Sequence, residues 1–234
     1  TNLVGREGAA AGGVPGALYS SFLGLVANTN RSVLFSCSMV PGAGGVIVNT
    51  TGALWLATTN GDSVVARQGF PAANTPAGVT YGSFDTYALN NLNQAAFVSL
   101  LLGASVNNGN NLALFASDRT GQVRLVLREG DLIEIVPGDV RTVGTSYAVQ
   151  PIAMYDDART GRAINDRSQV AFSVFFTDNS RAILLADVSG SPKLSIAAAG
   201  NNEKLSWTTN FGTFNLQAAP KLPAVTWTNV GIAS

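Results

Sequence analysis

The chain of 234 residues carries no net charge, because 14 Lys and Arg side chains balance 14 Asp and Glu, and charged residues make up only 12%. That share is about half of the roughly 25% found in globular proteins. No basic stripe is present to meet a phosphate backbone, so we exclude nucleic acid as a partner, and the weakly charged surface favours self-association instead.

Neither end of the chain carries a targeting or membrane signal. The sequence begins at Thr1 without a Met or a signal peptide, from which we expect a processed mature chain or an excised fragment. Its longest apolar run, residues 95–104, is about half as long as a membrane-spanning helix requires. We therefore expect no membrane span.

The first predicted element is an orphan terminal strand at residues 1–8. Its sequence, "TNLVGREG", matches the ends of two later segments, "SVVARQG" at 63–69 and "RLVLREG" at 124–130. Since it resembles the tail of a repeat whose body is missing, its partners come either from the C-terminal strands of the same chain or from another copy, and we predict another copy. The candidate assembly strand comprises Asn2, Leu3, Val4, Gly5, Arg6 and Glu7.

Three repeats of about 61 residues follow this strand. Two independent markers recur at a spacing of 61, and a chance match of both is improbable. These markers are Arg6, Arg67 and Arg128, and Pro15, Pro76 and Pro137. We predict repeats at 9–69, 70–130 and 131–198, each a four-stranded antiparallel sheet resembling a propeller blade.

A third marker is an asparagine placed seven residues before a phenylalanine. Its copies are Asn28 with Phe35, Asn90 with Phe97, and Asn165 with Phe172. The first step is 62 residues and the second is 75, so the third repeat carries about 14 additional residues. We predict a long loop for them within 144–161, and a side-chain cap on a turn for each asparagine.

Short runs within each repeat alternate between apolar and polar residues and are separated by Gly, Asn, Asp and Pro, which is typical of strands. "TNGD" at 59–62 and "DRTGQ" at 118–122 predict tight hairpin turns. Trp55 aligns with Phe115 and Leu184, so we expect it in the core. The predicted fold is all-β.

The last 36 residues, 199–234, depart from the repeat. Their apolar residues alternate in three short runs, at 205–207, 214–216 and 225–227, from which we predict a short three-stranded β segment. Trp207 and Trp227 lie in it and are candidate ligand contacts, because an exposed aromatic ring can stack on a sugar.

The motif "INDRSQVAF" at 164–172, with "LREGD" before it and "AILLAD" after it, resembles a family of secreted bacterial repeat proteins. Their units read Asn-x-x-Gly-Gln-Val-Ala-Phe, a Leu-Trp strand, Arg-Glu-Gly-Asp and Pro-Gly. The resemblance covers about residues 3–190 and implies propeller-like blades of extracellular proteins with no established activity. The glycine of the pattern is replaced by Arg31, Asn93 and Ser168. The C-terminal segment is similar to a small β module that ends large exported bacterial proteins.

Catalytic chemistry has few residues to draw on. The chain has no His and a single Cys, which removes histidine catalysis, His-based zinc sites and thiolate metal clusters. Acidic residues near the long loop of the third repeat could form a carboxylate pair, but we interpret them as turn-forming residues of a solvated loop. These residues are Asp139, Asp156, Asp157 and Asp166.

Calcium is the metal that the available oxygen ligands would suit, and "NNGNN" at 107–111 and "YDD" at 155–157 are the candidate loops. Neither matches a spaced calcium-loop motif. We therefore expect no cofactor.

Two functions of different classes remain. The first is a non-enzymatic extracellular or cell-surface structural protein that polymerises with copies of itself into a fibre or surface layer, through β-strand addition between subunits. The second is a propeller-like binding module for polysaccharide or another surface ligand. An enzyme is the least favoured alternative, because the sequence supplies no catalytic set.

Overall fold

The computed structural model describes residues 3–144, 152–154 and 163–190, together with the backbone of strands at 194–199, 202–207, 217–218 and 228–229. Apart from two three-residue 3-10 turns, every regular element in these residues is a β-strand, which confirms the all-β prediction. The chain divides into two compact units, Thr1–Ser191 and Pro192–Ser234. No helix in the described part is long and apolar enough to cross a bilayer.

The first sheet has four antiparallel strands in chain order, each joined to the next by a turn or loop. They are β1 (Tyr19–Ala27), β2 (Val33–Met39), β3 (Gly52–Thr58) and β4 (Gly61–Arg67). The predicted hairpin between β3 and β4 is confirmed, with Thr58 paired to Gly61. Trp55 is fully buried, as predicted, and its indole N–H donates to the carbonyl of Gly12 at 2.9 Å.

The second sheet repeats this order one repeat later. Its strands are β5 (Thr80–Leu89), β6 (Ala95–Leu102), β7 (Leu112–Ser117) and β8 (Val123–Arg128). The turn between β7 and β8 is the predicted hairpin, and the buried carboxylate of Asp118 caps it by accepting the N–H groups of Thr120 and Gln122 at 2.8 and 3.1 Å. Four-stranded antiparallel sheets are thus present twice.

The third repeat is built differently from the first two. It opens with a hairpin that the sequence analysis did not predict, β9 (Leu132–Val136) and β10 (Asp139–Thr142), and continues with a three-stranded sheet. The strands of that third sheet are β11 (Ile152–Ala153), β12 (Gln169–Phe175) and β13 (Arg181–Asp187), in this order. The segment predicted as its fourth strand, β14 (Leu194–Ala199), pairs with β15 (Asn202–Trp207) in a separate two-stranded sheet.

The remaining strands of the C-terminal unit are very short. β16 (Gln217–Ala218) and β17 (Thr228–Asn229) pair with each other over two residues. Each begins one residue beyond a segment where the alternation predicts a strand. Those predicted segments, 214–216 and 225–227, lie outside the described residues.

The three sheets of the first unit stack face to face in chain order. We name the side that carries Phe35, Phe97 or Phe172 face A of its sheet, and the opposite side face B. Face A of the second sheet packs on face B of the first, with Phe97 in one apolar cluster with Leu54. Face A of the third sheet packs in the same way on face B of the second, with Phe172 in one cluster with Leu114. Burial of these apolar faces is what stabilises the stack.

Candidate self-assembly site

The terminal segment predicted to be an assembly strand lies beside β1 and outside every described strand. Leu3 is 79% exposed and Val4 is 40% exposed, although both belong to an apolar strand sequence. Gly5 lies so close to Phe22 of β1 that a Cβ atom there would be 3.0 Å from the ring. The segment therefore lies against a side chain of β1 without being a described strand of that sheet.

The turn that follows this segment is the same in all three repeats. A glycine with φ of 78–81° comes after each Arg-Glu or Arg-Gln pair, and its N–H donates to a carbonyl at the start of the next repeat. The three bonds are Gly8 to Tyr19 at 2.8 Å, Gly69 to Tyr81 at 2.8 Å, and Gly130 to Val143 at 3.2 Å. A residue with a side chain is strained at such a φ. In the second and third cases the residues before the glycine are β4 and β8, the fourth strands of complete sheets.

The third sheet ends at β13, where the first two sheets add a fourth strand. β4 pairs with β3 and β8 pairs with β7, whereas β13 is the last strand of its sheet in the described part of the chain. An edge strand presents unpaired backbone N–H and C=O groups and can accept another strand. The segment around Leu3 and the edge of β13 are therefore complementary features.

The predicted asparagine cap is confirmed in every repeat. The Oδ1 atom of each asparagine accepts the backbone N–H groups two and four residues further on, at 2.8–3.0 Å. The residue three positions after each asparagine has a left-handed φ of 62–64°, and these residues are Arg31, Asn93 and Ser168. A glycine adopts this conformation without steric cost, which explains the glycine in the pattern that the chain resembles.

The same asparagines also connect one sheet to the next. Asn28 donates from Nδ2 to the carbonyl of Asn90 at 2.9 Å, and Asn90 donates from Nδ2 to the carbonyl of Asn165 at 2.9 Å. A parallel set of bonds runs beside it, from the Thr29 N–H to Asn91 Oδ1 at 3.1 Å and from the Asn91 N–H to Asp166 Oδ1 at 2.8 Å. We call this set of contacts the asparagine ladder, and every rung donates in the same direction along the chain.

The repeated arginines Arg67 and Arg128 and their neighbours hold the loop before the third strand of the first two sheets. The Nε atoms of Arg67 and Arg128 donate to the carbonyls of Thr50 and Asn110, at 3.3 and 2.6 Å. The side chain after each arginine then caps that third strand, since Gln68 Oε1 accepts the Gly52 N–H at 3.2 Å and Glu129 Oε2 accepts the Leu112 N–H at 2.7 Å. The Glu129 carboxylate thus accepts two backbone amides, those of Asn111 and Leu112.

Burial also controls the ionisation of these residues. Removal from water raises the pKa of the Glu129 carboxyl, although the amides of Leu112 and Asn111 act in the opposite direction. Burial likewise raises the pKa of Tyr81 to about 12, and its hydroxyl accepts the Ala73 N–H at 3.0 Å. These are structural hydrogen bonds, and none of them exposes a reactive group.

The acidic residues near the long loop are separate from one another where they can be located. Asp139 forms an ion pair with Arg141 at 2.8 Å, and Asp166 accepts from Asn91 in the asparagine ladder. Asp156 and Asp157 lie outside the described residues. Within the described part of the chain no group of three or more acidic or Cys side chains could hold a metal.

Some candidate residues fall outside what the structure describes. Asn2 and Trp227 are among them, and the side chain of Trp207 is too, although its backbone belongs to β15. The calcium candidate at 107–111 is described, and its asparagines serve the loop itself: Asn110 Oδ1 accepts the Asn107 N–H, and Asn107 Oδ1 accepts the Gly109 N–H, both at 2.8 Å.

A shallow cleft of about 440 Å³ lies along the fourth strand of the first sheet, at its border with the second sheet. Val64 and Ala66 contribute apolar surface to it, and the Arg67 guanidinium lies over the ring of Phe70 at 4.5 Å. No carboxylate lines the cleft.

These features define an all-β protein of stacked antiparallel sheets linked by repeated turns. The chain belongs to a family of unknown function, DUF7453, whose model matches residues 1–192. That match ends close to the boundary between the two compact units. Comparison with curated proteins found no match, and comparison with solved structures found none either.

Proposed function

We propose that this protein is a non-enzymatic extracellular structural protein that self-assembles by β-strand addition, with residues 2–7 of one copy pairing with the edge of β13 in another. The observation that carries the proposal is the terminal segment. It has the strand sequence and the junction glycine of the later repeats, yet Leu3 and Val4 are exposed and belong to no described strand. Backbone pairing at an open edge is a common way of joining chains.

In this proposal the third sheet is the equivalent of the first two sheets. The donated strand pairs with β13 in the same way as β4 pairs with β3 in the first sheet. The third sheet then becomes a four-stranded blade like the first two. Because the Gly8–Tyr19 bond fixes the start of the first sheet to the donated strand, the donor copy continues the stack. Such an association is heterologous and open-ended, so it produces fibres rather than closed dimers.

A location outside the cell is part of the same proposal. It is supported by the resemblance to secreted bacterial repeat proteins and by the low charged fraction of 12%. A surface with few charges lowers the repulsion between copies that assembly must overcome.

The test is a competition experiment on the full chain. We expect the protein to form polymers in analytical ultracentrifugation and negative-stain microscopy, and a synthetic peptide of residues 1–7 to shorten them. A peptide of the same composition in scrambled order is the control and should have no effect. A wild-type chain that stays monomeric across a wide concentration range would refute self-assembly, and polymers that ignore the native peptide would refute strand addition.

A further inference from the structure

The third sheet leaves an apolar face open that the first two sheets cover. On its face B, Ile183 is 85% exposed and Leu185 is 61% exposed. The equivalents of Ile183 on face B of the earlier sheets, Leu54 and Leu114, are fully buried under face A of the following sheet. The run of apolar residues along β13 is typical of a strand buried on both faces. One covering layer is therefore missing from the described part of the chain.

The first sheet leaves the opposite face partly open. On its face A, Leu25 is 67% exposed and Phe22 is 40% exposed. The register pairs Leu25 with Phe35 just as it pairs Tyr87 with Phe97 in the second sheet. Tyr87 reaches the preceding sheet, where its hydroxyl lies 3.1 Å from Ser36 Oγ. Leu25 occupies the same position with no described sheet before it.

The asparagine ladder is open at the same two ends. Asn28 and Asn90 each donate twice from Nδ2, whereas Asn165, which is exposed, donates only to Gln169 Oε1 at 3.0 Å among the described residues. The carbonyl of Asn28 accepts the Arg31 N–H and, from the residues that the structure describes, no ladder bond. One end of the ladder therefore has a spare donor and the other end has a spare acceptor.

We propose that face B of the third sheet is the docking surface for face A of the first sheet of a second copy. The interface packs Ile183 and Leu185 against Phe22 and Leu25, and Asn165 Nδ2 donates to the carbonyl of Asn28 across it. This inference rests on the proposed self-assembly and adds the second half of its interface. Strand addition supplies the backbone pairing, and the docked faces supply the apolar burial.

The stacking within the chain favours a second copy of the protein as the occupant of face B of the third sheet. The stacking of face A on face B occurs twice within the chain, each time with one ladder rung beside it. The third sheet has an exposed apolar face B beside the Asn165 donor. The first sheet has exposed apolar residues on face A beside the Asn28 acceptor. Docking of a copy repeats the stacking of face A on face B. Phe35 and Trp55 of face A are already buried against Val14 of their own chain, so Phe22 and Leu25 are the residues left to make the contact.

The test uses two variants of the full chain that each block one end. Ile183→Arg places a charge on face B of the third sheet, and Leu25→Arg places one on face A of the first. We expect each variant alone to remain monomeric in analytical ultracentrifugation, because each keeps only one working end. An equimolar mixture should form a one-to-one dimer through the two intact ends. Leu132→Arg, at a 72% exposed position on the β9–β10 hairpin, is the matched control and should polymerise like wild type.

The ladder is tested by Asn165→Asp. This change keeps the Oδ1 acceptor that caps the turn through Arg167 and Gln169, and it removes the Nδ2 donor. We expect association to weaken about tenfold, with the thermal unfolding of the monomer nearly unchanged, since the position is exposed. Unchanged association would remove Asn165 from the interface.

The outcomes separate this inference from the proposed function. If wild type polymerises and the 1–7 peptide competes, but Ile183→Arg still polymerises, strand addition stands and face docking is wrong. If Ile183→Arg lowers the unfolding temperature of the monomer and leaves association intact, the chain's own residues cover this face and the inference is overturned. If Leu25→Arg alone still dimerises, the interface joins two identical faces, and the head-to-tail arrangement is overturned.

Discussion

Asn90 shows how one buried side chain serves its own turn and the next sheet at once. Its Oδ1 accepts the N–H groups of Leu92 and Gln94, and its Nδ2 donates to Gln94 Oε1 and to the carbonyl of Asn165. Each polar atom of the amide has a partner, as burial requires. An aspartate could cap the turn, but its carboxylate has no N–H group to donate to the neighbouring sheet.

A glycine at the left-handed position of these turns should stabilise the protein. Arg31 has φ of 64° and is exposed, so Arg31→Gly should relieve backbone strain and stabilise the protein by about 1 kcal/mol in urea unfolding. Asn93→Gly is the matched comparison, because Asn93 has φ of 63° but its Oδ1 accepts from Asn28 at 2.8 Å. The lost hydrogen bond should offset the gain there. Equal gains at both positions would contradict this account.

Glu129 should make stability depend on pH. Burial raises its pKa in the folded state, so the folded protein holds the proton more tightly than the unfolded chain does. The stabilising contribution is present below the unfolded pKa of about 4.3 and is lost as the pH rises through the folded pKa. Glu129→Gln removes this dependence and keeps an oxygen acceptor for Leu112, as Gln68 does for Gly52.

The measurement is urea unfolding of wild type and Glu129→Gln between pH 4 and pH 7. The variant should gain stability relative to wild type as the pH rises. Glu134→Gln, at an exposed residue whose carboxylate accepts the Gly138 N–H, is the control for loss of a surface charge. A difference between Glu129→Gln and wild type that is constant across this range would contradict the prediction.

At the scale of elements, the sheets fit together through small residues placed under large ones. Gly24 of β1 lies under the Tyr87 hydroxyl, and a Cβ atom at Gly24 would be only 2.4 Å from that oxygen. Tyr87 also makes the contact to Ser36 described above, so its ring cannot move away without losing a hydrogen bond. Interiors packed this closely transmit such a change to the neighbouring sheet.

Gly24→Ala should therefore destabilise the protein by about 1–3 kcal/mol, through overpacking between the first two sheets. Tyr87→Phe removes the atom that a new Cβ would meet, so the double variant should be more stable than the sum of the two single changes predicts. A double-mutant cycle in urea measures this coupling. Additive effects would mean that the clash is relieved elsewhere.

The strand order of the first two sheets could be predicted from the sequence because its signals are local. Alternation, the turns at 59–62 and 118–122, and the capping asparagines all act within a few residues. The pairing of β14 depends instead on a choice between distant partners. Its sequence matches the fourth strands of the earlier repeats, but Gly200-Asn201 follows it directly and is typical of a two-residue hairpin connection to β15.

The candidate site was only partly predictable for a similar reason. The repeat spacing alone indicates that the segment around Leu3 corresponds to a fourth strand without the three strands that precede it in the other repeats. The open face around Ile183 does not, because a run such as "AILLAD" predicts burial on both sides and gives no sign of which partner is missing. The asparagine ladder needed the register between sheets, which the spacing of 62 and 75 residues does not reveal.

At the scale of the whole molecule, assembly should be nearly independent of salt. The chain has no net charge, and the contacts proposed between the two faces are made by apolar side chains and one neutral hydrogen bond. The charged residues of the docking face, Arg181 and Asp187, stand at the two ends of β13. Screening therefore has little to act on. The polymer length measured by light scattering should agree within about a factor of two between 0.05 M and 0.5 M NaCl. A steep loss of polymers with salt would point to an interface built from ion pairs.

A pair of opposite charges introduced into the two faces is the comparison for this salt experiment. A chain carrying both Ile183→Arg and Leu25→Glu meets its neighbour through opposite charges in place of the apolar contact. Its association should fall as salt is raised, because partly exposed ion pairs are screened. Salt sensitivity in this variant and its absence in wild type would together identify the two faces as the contact.

The one-directional ladder has a consequence for how such a protein can change its length over evolutionary time. Each repeat carries its own acceptor, its own donor and both faces, so a duplicated repeat placed between Arg67 and the second sheet would meet compatible neighbours on either side. The gene could gain or lose whole repeats without any compensating substitution at the boundaries. Variation in repeat number among members of the family would then reflect duplication of a self-matching unit, with the asparagine in each copy retained for the sake of its neighbours.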